Sequence, residues 1–159
     1  MKHLPKHLRP RWRYLAVAFE TWPEAGFGRD DFQRHVWYAA QNLHGDAGSA
    51  DVDLTVMDFE RVGPAGWAIV RTRRDEVERA RAALACVDAV DGDPLGLCVA
   101  GTSGTVRACE EKYIRRPTEV TGQRTVAFEA TERPAVVRDG RAEVRVDSAF
   151  VGATTLDFE

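Results

Sequence analysis

ADVDLTVMDFERVGPAGWAIVRTR, residues 50–73, decides the fold. Val52, Leu54 and Val56 alternate with Asp51, Asp53 and Thr55, so residues 50–60 read as a half-buried strand. WAIVRTR (67–73) alternates as well, and the short connection RVGPAG predicts a hairpin. Upstream, WRYLAVAFE (12–20) is rich in aromatic and branched side chains and reads as a strand. The loop TWPEAGFG follows. Asp30 is then a candidate N-cap for a helix with Phe32, Val36, Ala39 and Leu43 on its inner stripe, and Gly45 is placed to stop it. Downstream of the hairpin, a helix over about 75–87 turns Val77, Ala80, Leu84 and Val87 inward. A loop with Gly92 and Pro94 leads to the apolar strand LGLCVAG (95–101). Ser103 is positioned to cap a third helix running to about Arg116, and Pro117 ends it.

The order βαββαβ, followed by a helix, predicts an α+β fold: a ferredoxin-like or RRM-like sandwich. Two helices cover one sheet face; the other is left for the third helix, for RNA or for a protein partner. The chain divides into a basic arm (1–13), the ferredoxin-like domain (14–116) and a C-terminal extension (117–159). In the extension TVAFEA and AEVRVDSAFV alternate, but the charged ERPAVVRDGR between them breaks the pattern. The reading leans to a weakly ordered β-hairpin over a floppy appendage.

Composition narrows the function classes. With 159 residues, 44% hydrophobic and 30% charged, the chain is a globular domain with an appendage. No apolar run approaches the roughly 20 residues that span a bilayer, and no apolar stretch behind the basic start reads as a signal peptide. No membrane association and a cytoplasmic location are expected. The three cysteines, Cys86, Cys98 and Cys109, form no CxxC pair and are expected as buried free thiols. The net charge of −3 hides an uneven distribution. Lys2, Lys6, Arg9, Arg11 and Arg13 carry the first 13 residues without an acid. Such an arm is either a phosphate-binding footprint or a solvated tail. Lys2, Lys6 and Lys112 are the only lysines among 22 basic residues. That bias suits bidentate phosphate contacts, follows equally from GC-rich coding, and with the acid content hints at a salt-loving source.

No HExxH, GxSxG or P-loop motif is present. His3 and His7 lack companion ligands at metal spacing, and His35 lies beside a buried helical stripe. Asp51 and Asp53 share a strand face that either binds a metal or is simply solvated. Two segments are less generic. LHGDAG (43–48) offers two glycines for positive φ and an Asp to brace the turn. GTSGTVRACEEKYIRR (101–116) opens with hydroxyls and free amides that suit a phosphate, then carries Arg107, Lys112, Arg115 and Arg116. The plainer reading is a capped amphipathic helix with cations at its C-terminus.

Taken together, RYLAVAF (13–19), NLHGDAGSA (42–50), WAIVRTRRDEV (67–77) and GTSGTVRACEEKYIRR (101–116) resemble the archaeal ribonuclease P protein component 2 family, related to a eukaryotic subunit shared by RNases P and MRP. The resemblance covers about residues 9–116. It implies a non-catalytic subunit of an endoribonuclease that matures the 5′ end of precursor tRNA. The chemistry would lie on the RNA subunit with its bound Mg2+, and no cofactor or metal on this chain. The implied partners are ribonuclease P RNA, precursor tRNA, the TIM-barrel-like protein component 3 and other archaeal ribonuclease P proteins. From residue type and position, the RNA contacts expected are Arg9, Arg11, Arg13 and Tyr14, then Arg71, Arg73 and Arg74, then Ser103, Arg107 and Lys112. Tyr14 either stacks on RNA or packs in the core. The alternative is a ferredoxin-like small-molecule or anion-binding regulatory domain, or a small phosphatase. A third possibility is an assembly adaptor that touches proteins only.

Overall fold

The computed structural model describes residues 4–114, 122–138 and 141–158. It divides into two compact units, Met1–Arg116 and Pro117–Glu159. In the first unit, β1 (Trp12–Thr21), α1 (Arg29–Val52), β2 (Thr55–Val62), β3 (Ala65–Arg73), α2 (Val77–Ala85), β4 (Ala89–Val90) and β5 (Asp93–Ser103) follow one another. The antiparallel sheet has the order β2-β3-β1-β5-β4. With the two-residue β4 set aside, this is the ferredoxin-like arrangement expected from the central hairpin.

Alternation along the strands divides the sheet's faces. Leu15, Val17 and Phe19 of β1 and Ala68 and Val70 of β3 pack under the helices with Phe32, Val36, Ala80 and Leu84. Phe19 stacks on Phe32 and Phe59 at centroid distances of 5.7 and 5.3 Å. On the opposite face, Ala16 and Ile69 meet Cys109, with Tyr14, Trp67, Val106, Tyr113 and Ile114 around them. The third helix therefore occupies the centre of the second face.

Local expectations are corrected at several points. The cap of α1 is Gly28, not Asp30, and the Gly28 N–H donates to Asp31 Oδ2 at 3.1 Å. Gly45 does not stop the helix. Its φ of 72° makes a kink, after which the chain turns helical again as far as Val52. Leu43 faces solvent, and the buried positions are Phe32, Gln33, Val36, Ala40, Gly48 and Val52. The second strand begins at Thr55, so Asp51 lies on α1 and Asp53 is its left-handed C-cap, φ 51°. The two aspartates share no strand face.

The HGD-x-G segment is a packing device. Gly48 faces α2 so closely that a Cβ there would overlap the Arg79 side chain and the His44 Cβ. His44 Nε2 lies 2.8 Å from the Arg79 carbonyl oxygen.

The third helix is capped by Thr105, whose Oγ1 accepts from the Ala108 N–H at 3.1 Å, and not by Ser103, which ends β5. It comprises α3 (Val106–Cys109) and then a π-helical turn, Glu110–Ile114. Arg115, Arg116 and Pro117 lie outside the described residues. Only one cysteine is a buried thiol: Cys109 is enclosed, whereas Cys86 and Cys98 are exposed. Burial, reinforced by the charge of Glu110, pushes the Cys109 thiol up to about 11. Because the thiolate is the reactive form, iodoacetamide at about pH 8 should alkylate Cys86 and Cys98 and spare Cys109. Peptide mass spectrometry on the native protein reads this out, and equal labelling of Cys109 would contradict its burial.

The second unit is a four-stranded meander rather than a hairpin, in the order β6 (Gly122–Phe128), β7 (Thr131–Arg138), β8 (Arg141–Val146) and β9 (Ala149–Thr154). The charged segment that breaks the sequence pattern contains most of β7. Its Ala135 lies opposite Val144 of β8, and these two residues and Val126 are buried beneath Phe128, Val146, Ala153 and Phe158.

Candidate nucleic-acid interface

Antiparallel pairing brings distant basic residues to one end of the central strands. Trp12 pairs with Arg73, Arg13 with Thr72, and Tyr14 with Arg71 across β1 and β3, while Tyr14 faces Ser103 of β5 on its other side. Just beyond the pairing, the Arg74 N–H donates to the Arg11 carbonyl at 2.9 Å. Seven of the ten expected contacts are thus neighbours: Arg11, Arg13, Tyr14, Arg71, Arg73, Arg74 and Ser103. Arg9 precedes them, its Nε donating to the Leu4 carbonyl at 2.8 Å.

The side chains differ in how they are held. The Arg71 and Arg73 guanidinium carbons lie 4.0 and 4.2 Å from the centroid of the Trp12 ring. Arg73 also pairs with Asp53 at 2.9 Å. Arg71 reaches Thr55 Oγ1 at 3.5 Å. Arg13 Nη1 donates to the Trp12 carbonyl at 3.1 Å. Arg11 and Arg74 are exposed, and no side-chain partner engages them among the described residues. Tyr14 is half-buried and packs with the second-face cluster. Ser103 is buried, and its Oγ and the Thr102 Oγ1 have no hydrogen-bond partner among the described residues.

Arg107 and Lys112 stand apart from this group. The Arg107 Nε donates to Glu111 Oε1 at 2.8 Å, one turn along, with its side chain 87% exposed. Lys112 is exposed on the π-helical turn. An exposed pair of this geometry is worth about 0.3–0.5 kcal/mol, so Glu111 holds Arg107 only weakly.

Other arginines have structural partners. Arg34 binds Asp91 and Asp31, both at 2.9 Å, and the hydrogen bond to Asp91 comes first in raising its pKa. Hydrogen bonds from His35 and then Arg34 hold the Asp91 carboxyl below its ordinary range, and tie the β4–β5 turn to α1. Arg61 donates to the carbonyls of Ala25, Phe27 and Gly63. At the sheet end, by contrast, the β1–β3 register brings five arginines together, and Asp53 ion-pairs with one of them, Arg73. Such crowded cations gain most from a polyanion.

Trp12 is the residue that sequence reading missed. Its strand assignment was legible, but its cation–π role depends on a cross-strand register joining residues 12 and 73. Gly101 opens the segment whose free amides and hydroxyls suit a phosphate. It serves instead as a seat for Tyr113, because a Cβ there would fall inside the van der Waals radius of the ring. Gly101→Ala should therefore unseat the π-helical turn and destabilise the protein by about 1–3 kcal/mol. Thermal unfolding measures this, and an unchanged midpoint would show that Tyr113 does not need the seat.

Among the described residues, no group of three or more His, Cys, Asp or Glu side chains could hold a metal ion. Nor is any helix there long and apolar enough to cross a membrane.

A family model described as Rpp14/Pop5 matches residues 13–114. Ribonuclease P protein component 2 of Haloarcula marismortui is 63% identical over 160 residues, covering 99% of each chain. The protein of the same name from Methanosarcina acetivorans is 39% identical over 115 residues, 72% of this chain and 83% of that one. A chain in a structure of yeast ribonuclease MRP superposes with a TM-score of 0.47 at 15% identity, covering 74% of this chain and 85% of that one.

Proposed function

The chain belongs to the Rpp14/Pop5 family, and on that premise we propose that its arginine-rich sheet end docks it on the RNA of ribonuclease P. It is a protein subunit of that endoribonuclease, in which RNA performs the hydrolysis. The supporting observation is the gathering of Arg11, Arg13, Arg71, Arg73 and Arg74 at one end of β1 and β3, where Asp53 ion-pairs with Arg73. Guanidinium groups grip phosphates through paired N–H donors, and the binding releases counterions. Arg9, Arg107 and Lys112 extend the surface, Arg107 by exchanging Glu111 for a phosphate. Ser103 and Tyr14 shape the floor beneath. The role is phosphate neutralisation, which helps the RNA hold its active shape, its Mg2+ and the precursor tRNA.

The particle contains further protein subunits, and component 3 is the proposed neighbour. The outer face of α1 exposes Trp37, Tyr38 and Leu43. Trp37 and Tyr38 border a cleft of about 380 Å3 that reaches Asp53 and Thr55. A protein seated there would adjoin the arginine cluster.

Precursor-tRNA cleavage tests the reading. The cognate RNA should cleave faster at limiting magnesium when this protein and component 3 are added, while the RNA-free protein should cleave nothing. Cleavage by the protein alone, or no effect of adding it, would refute the assignment.

A further inference from the structure

We infer that Trp12 is a positioning residue for RNA binding: its indole holds the Arg71 and Arg73 guanidinium groups so that their outward N–H edges meet two phosphates. This rests on the reading of the sheet end as an RNA surface. Arg71 and Arg73 are two residues apart on β3 and project from the same face. Trp12 is the cross-strand partner of Arg73. Both guanidinium carbons lie close to the indole centroid, at 4.0 and 4.2 Å. Tryptophan is the strongest ring for such contacts. A guanidinium lying over a ring keeps its in-plane donors free, and those donors make the bidentate grip on phosphate.

The two arginines depend on the ring unequally. Arg73 has a second support in Asp53. Among the described residues no carboxylate pairs with Arg71, and its bond to Thr55 Oγ1 is long, 3.5 Å, so the indole is its main restraint. Trp12 itself is half-buried and belongs to neither apolar cluster of this unit. A core-packing role therefore does not account for it.

The test is the salt dependence of binding between the full-length protein and its cognate ribonuclease P RNA. Trp12→Ala should weaken binding about tenfold at low salt. It should also flatten the plot of log K against log salt by about 0.7–0.9, the equivalent of the one phosphate contact, that of Arg71, which rests mainly on the ring. Trp12→Phe keeps a ring and should recover most of that slope. A Trp12→Ala protein that melts earlier yet binds with an unchanged slope would overturn the inference, because a merely structural residue changes stability and not the number of phosphate contacts. Equal losses in Trp12→Phe and Trp12→Ala would also overturn it. The double variant Arg71→Ala/Arg73→Ala separates the two levels. If it binds normally, the RNA-surface reading fails and takes this inference with it. If it binds weakly while Trp12→Ala binds normally, the positioning role alone fails.

Discussion

Arg71→Ala/Arg73→Ala is expected to bind ribonuclease P RNA about 100-fold more weakly than the wild-type protein, a loss of about 2.7 kcal/mol. Charge-assisted hydrogen bonds are worth about 1.5–3 kcal/mol each when well formed. These guanidinium groups are partly exposed, and Arg73 is shared with Asp53 at 2.9 Å, so the lower end of the range is appropriate. Both arginines lie over one indole; their single substitutions should therefore not add independently. Folding should be little affected, because neither side chain belongs to an apolar core cluster. The complementary variant has the opposite sign. Asp53 sits at φ 51°, a conformation that asparagine tolerates. Asp53→Asn thus removes the carboxylate without straining the cap, and should tighten RNA binding a few-fold. Fluorescence anisotropy against the cognate RNA measures both variants. Tighter binding by the double alanine variant, or weaker binding by Asp53→Asn, would place the RNA on another surface.

Phe32→Ala should destabilise the ferredoxin-like unit by about 3–5 kcal/mol, the usual loss for a fully buried phenylalanine. The Phe32 ring is completely enclosed. It joins α1 to the sheet by stacking on Phe19 and contacting Phe59, both at 5.7 Å. Removal leaves a cavity among rings that cannot collapse without tilting the helix. Urea unfolding at constant salt is the measurement. All four tryptophans, Trp12, Trp22, Trp37 and Trp67, lie in the first unit. Their fluorescence therefore reports that unit without interference from the C-terminal meander. A loss under about 1 kcal/mol would mean that the helices are organised around some other residue.

Legibility in the sequence followed the range of the interactions. Alternation and a short turn within residues 55–73, flanked by apolar helical stripes, determined the βαββαβ order, although the alternation read over residues 51–53 belongs to the end of α1 and its cap. Phe32, Val36, Ala80 and Leu84 were legible as core on the same ground. The basic residues of the interface could be named one by one, yet not assembled. Only the β1–β3 register decides that Trp12 lies against Arg71 and Arg73, or that Arg11 touches Arg74.

Helix ends were also decided by tertiary contact. Gly45 has the residue type of a helix stop, but docking against α2 through His44 and Gly48 carries the helix on to Val52. Similarly, the charged run ERPAVVRDGR, residues 132–141, hides most of a strand. Its alternation is legible only once Ala135 is seen opposite Val144, because a strand's inner face is defined by its neighbours. What the sequence determined by itself was therefore the order of elements and the chemistry available to them. The tertiary structure decided which of those groups meet, because strand register and helix docking are set by contacts between residues far apart in the chain.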